Sequence, residues 1–400
     1  MIPARAKRYL NIIYFFILLA LGFLFFTNDF GLVDLRKTSV VVGVALDMEE
    51  EEVVLTAQLA VPQPAENGEN TKFNTVTGRG ATVAEALNEV NVKTGFYPKL
   101  VFCKLILVGE SCFNSDLSVL LDYFYRNEYT GLTLSVAACE GSAAELIGQQ
   151  FPCGNSATDV IDKLLSAEAQ ASGNVATVTL KDIGEKMFSK SGGLCMPYLQ
   201  NGVLEEEGSE GSSGGGSEGG SGGGSGGGSQ QCEESELICN ASAMFSDGYF
   251  KGLMTAEETF AYNLLFGSVR HAFFRSGEGE DLRVFGLRGC KGKAELQFKK
   301  GEPVLTINFG ATTKIQDGSN GFSPQKSKKT KVDDADLKKG SETLCGMFKS
   351  LYETAQTAGC DLLGVRNMLY RKFYDKYEQY QKGIFDNLTV ECSVNLKSVN

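Results

Sequence analysis

Residues 12–26 read IIYFFILLALGFLFF, fifteen apolar residues directly behind Arg5, Lys7 and Arg8. This run fixes where the rest of the chain can live. Extended to Leu10 and Thr27 it makes a helix of about 27 Å, at 1.5 Å of rise per residue, which reaches across a hydrocarbon core. The basic cluster holds the amino terminus in the cytoplasm and sends the remainder across the membrane. A cleaved secretory signal is the rival reading, because its apolar region looks similar. The exit, FFTNDFGLVD, offers no small-x-small cleavage site, and no cysteine lies between Ala20 and Asp34 to carry a lipid. The expectation is therefore a single-pass signal-anchor within residues 1–30, with the amino terminus cytoplasmic and the ectodomain outside the membrane.

About 370 residues remain beyond the anchor, enough for two or three domains with their own cores. The net charge of −11 argues against nucleic acid, since phosphate neutralisation needs a basic face. Only the stretch 326–331, KSKKTK, is basic, and it reads as a solvated hairpin loop rather than an anion or headgroup site. Eleven cysteines leave at least one unpaired, yet there is no CxxC and no zinc-finger spacing among them. Cys103, inside LVFCKLILV, reads as a small buried hydrophobe. Cys232 and Cys239 are close enough in sequence for a local bridge.

The plainest break is the Gly/Ser tract 208–229, which holds 13 of the 47 glycines and no apolar residue. It cannot bury a core, and as a flexible coil its ends would sit roughly 25 Å apart. Before it, strands and helices alternate. Residues 40–46 and 53–61 read as strands around the acidic turn DMEEEE. Thr82 with Glu85 forms a capping box, followed by the stripe Val83, Ala86, Leu87, Val90 and a C-terminal cap at Gly95. A strand at 100–108 follows, then a helix with Leu117, Leu120, Leu121 and Phe124 on one face, and a strand at 132–138. Ser142 with Glu145 and Thr179 with Asp182 start further helices, and 159–170 makes another. Beyond the tract, 242–250 reads as a strand turning at Asp247-Gly248, and Thr255 with Glu258 opens a helix running to about Arg275. Strands are expected at 282–287, 294–299 and 304–315, long helices at 334–358 and 361–381, and a last strand at 388–399. The class is α/β or α+β with a mixed sheet.

His271 is the only histidine, so any His-based triad, zinc site or acid–base shuttle must run through it. On the expected helix it faces away from the stripe Ala261, Leu264, Val269 and Phe273, as a solvated side chain would. There is no GxGxxG and no GxxxxGK[ST]; Gly78-Arg-Gly80 reads as a turn before a helix. Carboxylate pairs such as Asp333 with Asp334 and Glu257 with Glu258 sit at helix starts, where they oppose the dipole. Asn240-Ala-Ser242 and Asn387-Leu-Thr389 match the glycosylation sequon, a pattern that often arises by chance. The segment Tyr370, Phe373, Tyr374, Tyr377, Tyr380 alternates with Arg371, Lys372 and Lys376, which fits core packing beside a charged face or a partner surface. No constellation supports catalysis, a cofactor or a metal.

Several short motifs, in shared order, resemble the GerAC, or Ger(x)C, family, the C subunits of bacterial spore germinant receptors. Asp34-Leu35-Arg36 with Val42-Gly43-Val44-Ala45-Leu46-Asp47 resembles the family's opening strand. Gly78 to Thr82 with Glu85-Ala86-Leu87 is similar to its glycine–threonine–EAL helix start, and 102–110, FCKLILVGE, to its strand ending in Gly-Glu. The run 243–253 with Glu257-Glu258-Thr259, and Asp361-Leu-Leu-Gly364 with Leu369-Tyr370-Arg371-Lys372, resemble later segments. The resemblance picks out Gly78, Thr82, Glu85, Gly109, Glu110, Gly252, Glu258, Asp361, Gly364, Tyr370 and Arg371 as motif positions without giving any a role. It implies α+β architecture, with three mixed α/β domains after the N-terminal membrane helix read above: 31–192, a middle domain 193–278 interrupted by a Gly/Ser-rich loop 205–235, and 279–400. In that frame residues 196–200 and 237–245 are neighbouring strands, and the tract is a long hairpin insertion, tolerable because loop closure costs grow slowly with length.

Family members are typically lipoproteins, and the signal-anchor departs from that pattern. The implied setting is the cell or inner spore membrane, and the implied partners are that membrane and integral-membrane A-type and B-type receptor subunits, with no nucleic acid and no cofactor. A non-enzymatic germination role is the reading; an unrelated envelope binding module or a tethered hydrolase are the rivals.

Overall fold

A computed structural model of the chain describes residues 12–22, 38–61, 72–149, 151, 156–202, 236–318, 332–385 and 388–399. Residues 12–22 are helical (α1), with exposed apolar side chains; the rest of the expected anchor lies outside the described residues. Among the described residues no helix is long and apolar enough to cross a membrane. The Gly/Ser tract and the basic stretch 326–331 also lie outside the described residues.

The fold is mixed α+β with two sheets. β1 (Thr38–Glu49) and β2 (Glu52–Val61) form the expected hairpin, with Glu50 and Glu51 both at positive φ, as a two-residue turn between twisted strands requires. β3 (Lys72–Gly80) and α2 (Val83–Thr94) follow, with Thr82 and Gly95 capping α2 as read from the sequence. Next come β4 (Tyr97–Lys99), β5 (Leu105–Gly109), α3 (Leu117–Arg126) and β6 (Ser135–Cys139). Short helices α4 (Ala143–Gly148), α5 (Ala157–Leu164), α6 (Ala167–Gln170) and α7 (Leu180–Met187) lead to β7 (Gly193–Gly202). β8 (Glu236–Ser246) and β9 (Tyr249–Met254) complete a nine-stranded sheet ordered β3-β2-β1-β5-β6-β7-β8-β9, with β4 beside β1. Its centre, β1-β5-β6-β7, is parallel and its flanks are antiparallel.

Both faces of that centre are covered, which is why β5 reads as an unbroken apolar run. Ile106 and Val108 point to one core, with α2, α3 and α7; Leu105 and Leu107 point to the other, with α4 and α5. β7 pairs antiparallel with β8 from Gly193↔Ser246 to Gly202↔Glu236, so the tract joins neighbouring strands.

α8 (Ala256–Phe266) then leads to β10 (His271–Ser276), β11 (Arg283–Lys299) and β12 (Glu302–Gly318). α9 (Asp334–Thr357), α10 (Val365–Lys372), α11 (Tyr374–Tyr380) and β13 (Thr389–Ser398) close the second sheet, ordered β10-β11-β12-β13. Residues 193–278, expected as a middle domain, supply β7, β8 and β9 to the first sheet, α8, and β10 to the second.

Three readings of this half need correction. The helix expected to reach Arg275 stops at Phe266, where the Gly267 amide bonds back to the Asn263 carbonyl. After it, Ala272, Phe274 and Ser276 are buried while His271, Phe273 and Arg275 are exposed, a two-residue period that marks a strand. The strands expected at 282–287 and 294–299 are one strand, kinked where the register shifts between Arg288 and Lys291 and Gly289 takes φ 61°. The helix expected over 361–381 is a corner and two short helices. Gly364 sits at φ 72°, and Phe373 leaves helical geometry to set its ring 5.1 Å from that of Phe298.

Candidate functional site

The motif positions do not converge on one pocket; they are spread over several junctions between elements, and Tyr370 and Arg371 lie on the surface. Gly78 on β3 lies under α2, where a Cβ would stand 2.1 Å from the Ala86 carbonyl oxygen. Thr82 accepts a bond from the Glu85 amide, and the Glu85 carboxylate accepts one from the Ala81 amide at 2.9 Å. Helix and strand are thereby clamped at the start of α2.

A second junction forms where the parallel strands end. Asp47, buried at the end of β1, accepts hydrogen bonds from the Ser111 and Ser142 hydroxyls and from the amides of Ala143 (3.0 Å) and Ala144 (2.8 Å). Gly109 passes so close that a Cβ would sit 2.0 Å from the Asp47 Oδ1. The Glu110 carboxylate accepts from the Tyr198 hydroxyl at 2.6 Å and from the Gly141 amide. Burial, then the Glu110 carboxylate, raise the Tyr198 hydroxyl above its ordinary pKa. This is the edge where open α/β sheets commonly place ligands. Here its polar groups are spent on one another.

Gly252, at φ 150°, lies on β9 where its pairing with β8 slips between Met244 and Phe245. Glu258 links α8 to α9. Its carboxylate accepts from Thr354 (2.5 Å), Ser350 (2.9 Å) and the Thr255 amide (2.9 Å). Burial works against the charge, but these bonds outweigh it and hold the Glu258 pKa below the usual carboxylate value. A depressed native pKa stabilises above the unfolded pKa, and that benefit is lost as pH falls through the native value. Glu258→Gln should therefore cost about 2 kcal/mol near pH 7, read by urea unfolding, with the gap to the unchanged protein closing under acid conditions.

Asp361 is buried and caps α10 by accepting from the amides of Val365 and Arg366, both at 2.8 Å. Burial raises its pKa, opposed by those two amides. Its residue bridges to Gly192, and a Cβ on Gly193 would stand 2.4 Å from its carbonyl oxygen, so the corner 361–364 seats against β7. Tyr370 and Arg371, at the end of α10, face outward; the Tyr370 ring meets Tyr374 at 5.5 Å and Tyr377 at 5.1 Å.

The concave feature that sequence reading missed is a cavity of about 920 Å³ between the start of α2, α3 and the end of α7. Thr82, Val83, Val119, Leu120, Tyr123, Met187 and Phe188 are among its lining, with Phe188 90% and Val119 70% exposed at its rim. Asp122 and Arg126 pair at 2.6 Å, and the Tyr125 hydroxyl, pushed up to about 12 by burial, donates to the Leu180 carbonyl. Ser118 also lines the cavity, with its hydroxyl donating at 2.6 Å to Asp116 Oδ1, the same oxygen that accepts from the Ser118 amide to cap α3. The signal for it was faint: Val119 and Phe188 are apolar residues outside their helices' buried stripes.

His271 lies on β10, exposed, rather than on a helix. Nine cysteines among the described residues carry no disulfide, and six are buried, Cys103 and Cys239 included. Burial pushes the Cys103 thiol up to about 12. No group of three or more His, Cys, Asp or Glu among the described residues could hold a metal ion.

Comparison with known proteins places the chain. Residues 32–201 match the spore germination protein N-terminal domain, and residues 240–399 match the spore germination B3/GerAC-like C-terminal domain. Spore germination protein B3 of Bacillus subtilis (strain 168) is 22% identical over 402 residues, covering 96% of each chain. The crystal structure of the GerBC protein superposes with a TM-score of 0.50 at 15% identity, over 90% of this chain and 97% of that one. With both domains matched in order and the fold shared, the chain belongs to the GerAC family of spore germination proteins.

Proposed function

We propose that this chain is a non-enzymatic, membrane-anchored component of a spore germinant receptor, needed for nutrient-triggered germination. The observation that carries the reading is the match to both GerAC-type domains across nearly the whole chain. The polar side chains support it: the buried carboxylates Asp47, Glu258 and Asp361 are committed to amides and hydroxyls, and the only histidine is a solvated strand residue. The apolar run 12–26 would tether the body outside the membrane, where its contacts would bias integral A-type and B-type subunits toward an active state. Affinity isolation of the tagged chain from detergent-solubilised spore membranes tests the partnership. Two integral membrane subunits should come with it in constant proportion; recovery of the chain alone would remove the receptor reading and leave an independent envelope module.

A further inference from the structure

β4 runs parallel to the first residues of β1, pairing Thr38 with Tyr97 and Val40 with Lys99. The turn that follows points Leu100 and Cys103 inward and leaves large apolar side chains outside: Phe96 is 44% exposed, Tyr97 51%, Val101 54% and Phe102 55%. Lys99 binds this patch together, its ammonium 5.4 Å from the Tyr97 ring centroid and 4.0 Å from that of Tyr129. Residues 94–109 carry no acidic residue; of their two lysines, Lys104 pairs with Asp159 at 3.1 Å and Lys99 is the one that lies among the exposed rings. Contiguous exposed apolar surface rimmed by polar groups marks an interaction site.

Three observations choose its occupant. The patch stands at the edge of the sheet where the chain enters β1 from its apolar amino-terminal run, and residues 27–37 can span at most about 40 Å even fully extended. Its composition, aromatic rings around Lys99, is that of side chains that settle at the headgroup level of a bilayer. One cavity opens between α2, α3 and α7 and another beside α7 and α8, both away from this patch. An exposed aromatic face around a lysine, beside the end of the chain that leads to the apolar run, fits an anionic lipid surface.

We infer that the face formed by Phe96, Tyr97, Lys99, Val101 and Phe102 rests on an anionic bilayer surface and fixes the orientation of the ectodomain. This rests on the membrane-anchored reading above, and the test separates the two. The chain contains no tryptophan, so Phe102→Trp supplies a single indole in the full-length protein. In phosphatidylglycerol-containing vesicles its emission should shift to the blue and be quenched by brominated acyl chains, with a weaker response in pure phosphatidylcholine. Adding Val101→Glu should abolish both effects while the circular dichroism spectrum is retained, since both side chains are half exposed. Phe16→Trp in a separate protein reports the anchor. Quenching at Phe16→Trp without quenching at Phe102→Trp overturns the docking face and spares the anchor. Quenching at Phe102→Trp alone upholds the face and removes the anchor, and quenching at neither overturns both.

Discussion

Gly78→Val is expected to destabilise the protein by about 3 kcal/mol, seen as a lower urea midpoint with an unchanged slope. The added side chain would meet the Ala86 carbonyl oxygen, where even a Cβ stands at 2.1 Å, and the Val90 side chain at 3.0 Å. The first obstacle is backbone inside a capped helix, so the strand and helix must separate rather than repack. Gly131→Ala is the matched control: the nearest atom to its Cβ is 4.0 Å away, and its effect should stay within about 0.5 kcal/mol. A Gly78→Val protein as stable as the control would contradict the close approach of β3 and α2.

Asp47→Ala should cost a comparable amount, about 3 kcal/mol, for a different reason. It removes the acceptor of two amides and two hydroxyls at a buried position. The hydroxyls can turn to other partners, but the Ala143 and Ala144 amides would be left without a protein acceptor, and an orphaned buried donor keeps its full desolvation cost. Hydrogen exchange at those two amides should accelerate more than exchange in β2, whose ladder is untouched.

Much of the first sheet was legible because local signals and long-range demands agree there. Thr82, Ser142 and Thr179 cap helices as their spacing implies, and the apolar stripe of α2 is its buried face. The second half misled where two patterns overlap. Val269 and Phe273 extend the stripe of α8 at helical spacing, but Gly267 ends the helix, and the alternation of 271–276 answers to pairing with β11, a partner a local window does not contain. The corner at 361–364 was hidden for a similar reason. Asp361 reads as a helix start, yet Gly364 and the seating against β7 place the helix four residues later, at Val365.

The motif positions were visible as a pattern without roles, since a close approach such as Gly109 against Asp47 depends on two strands far apart in sequence. The cavity between α2, α3 and α7 is a space between elements, and no single segment encodes it.

The central claim is that this chain serves nutrient-triggered germination. Its most direct test is deletion of the gene followed by germination kinetics across a broad nutrient panel, with the gene restored in parallel. The account predicts normal spore formation and a weakened response to at least one nutrient, rescued equally by the unchanged gene and by His271→Ala, whose side chain is solvated. Normal germination of the deletion strain on every nutrient, or a folded His271→Ala protein that fails to rescue, would contradict it.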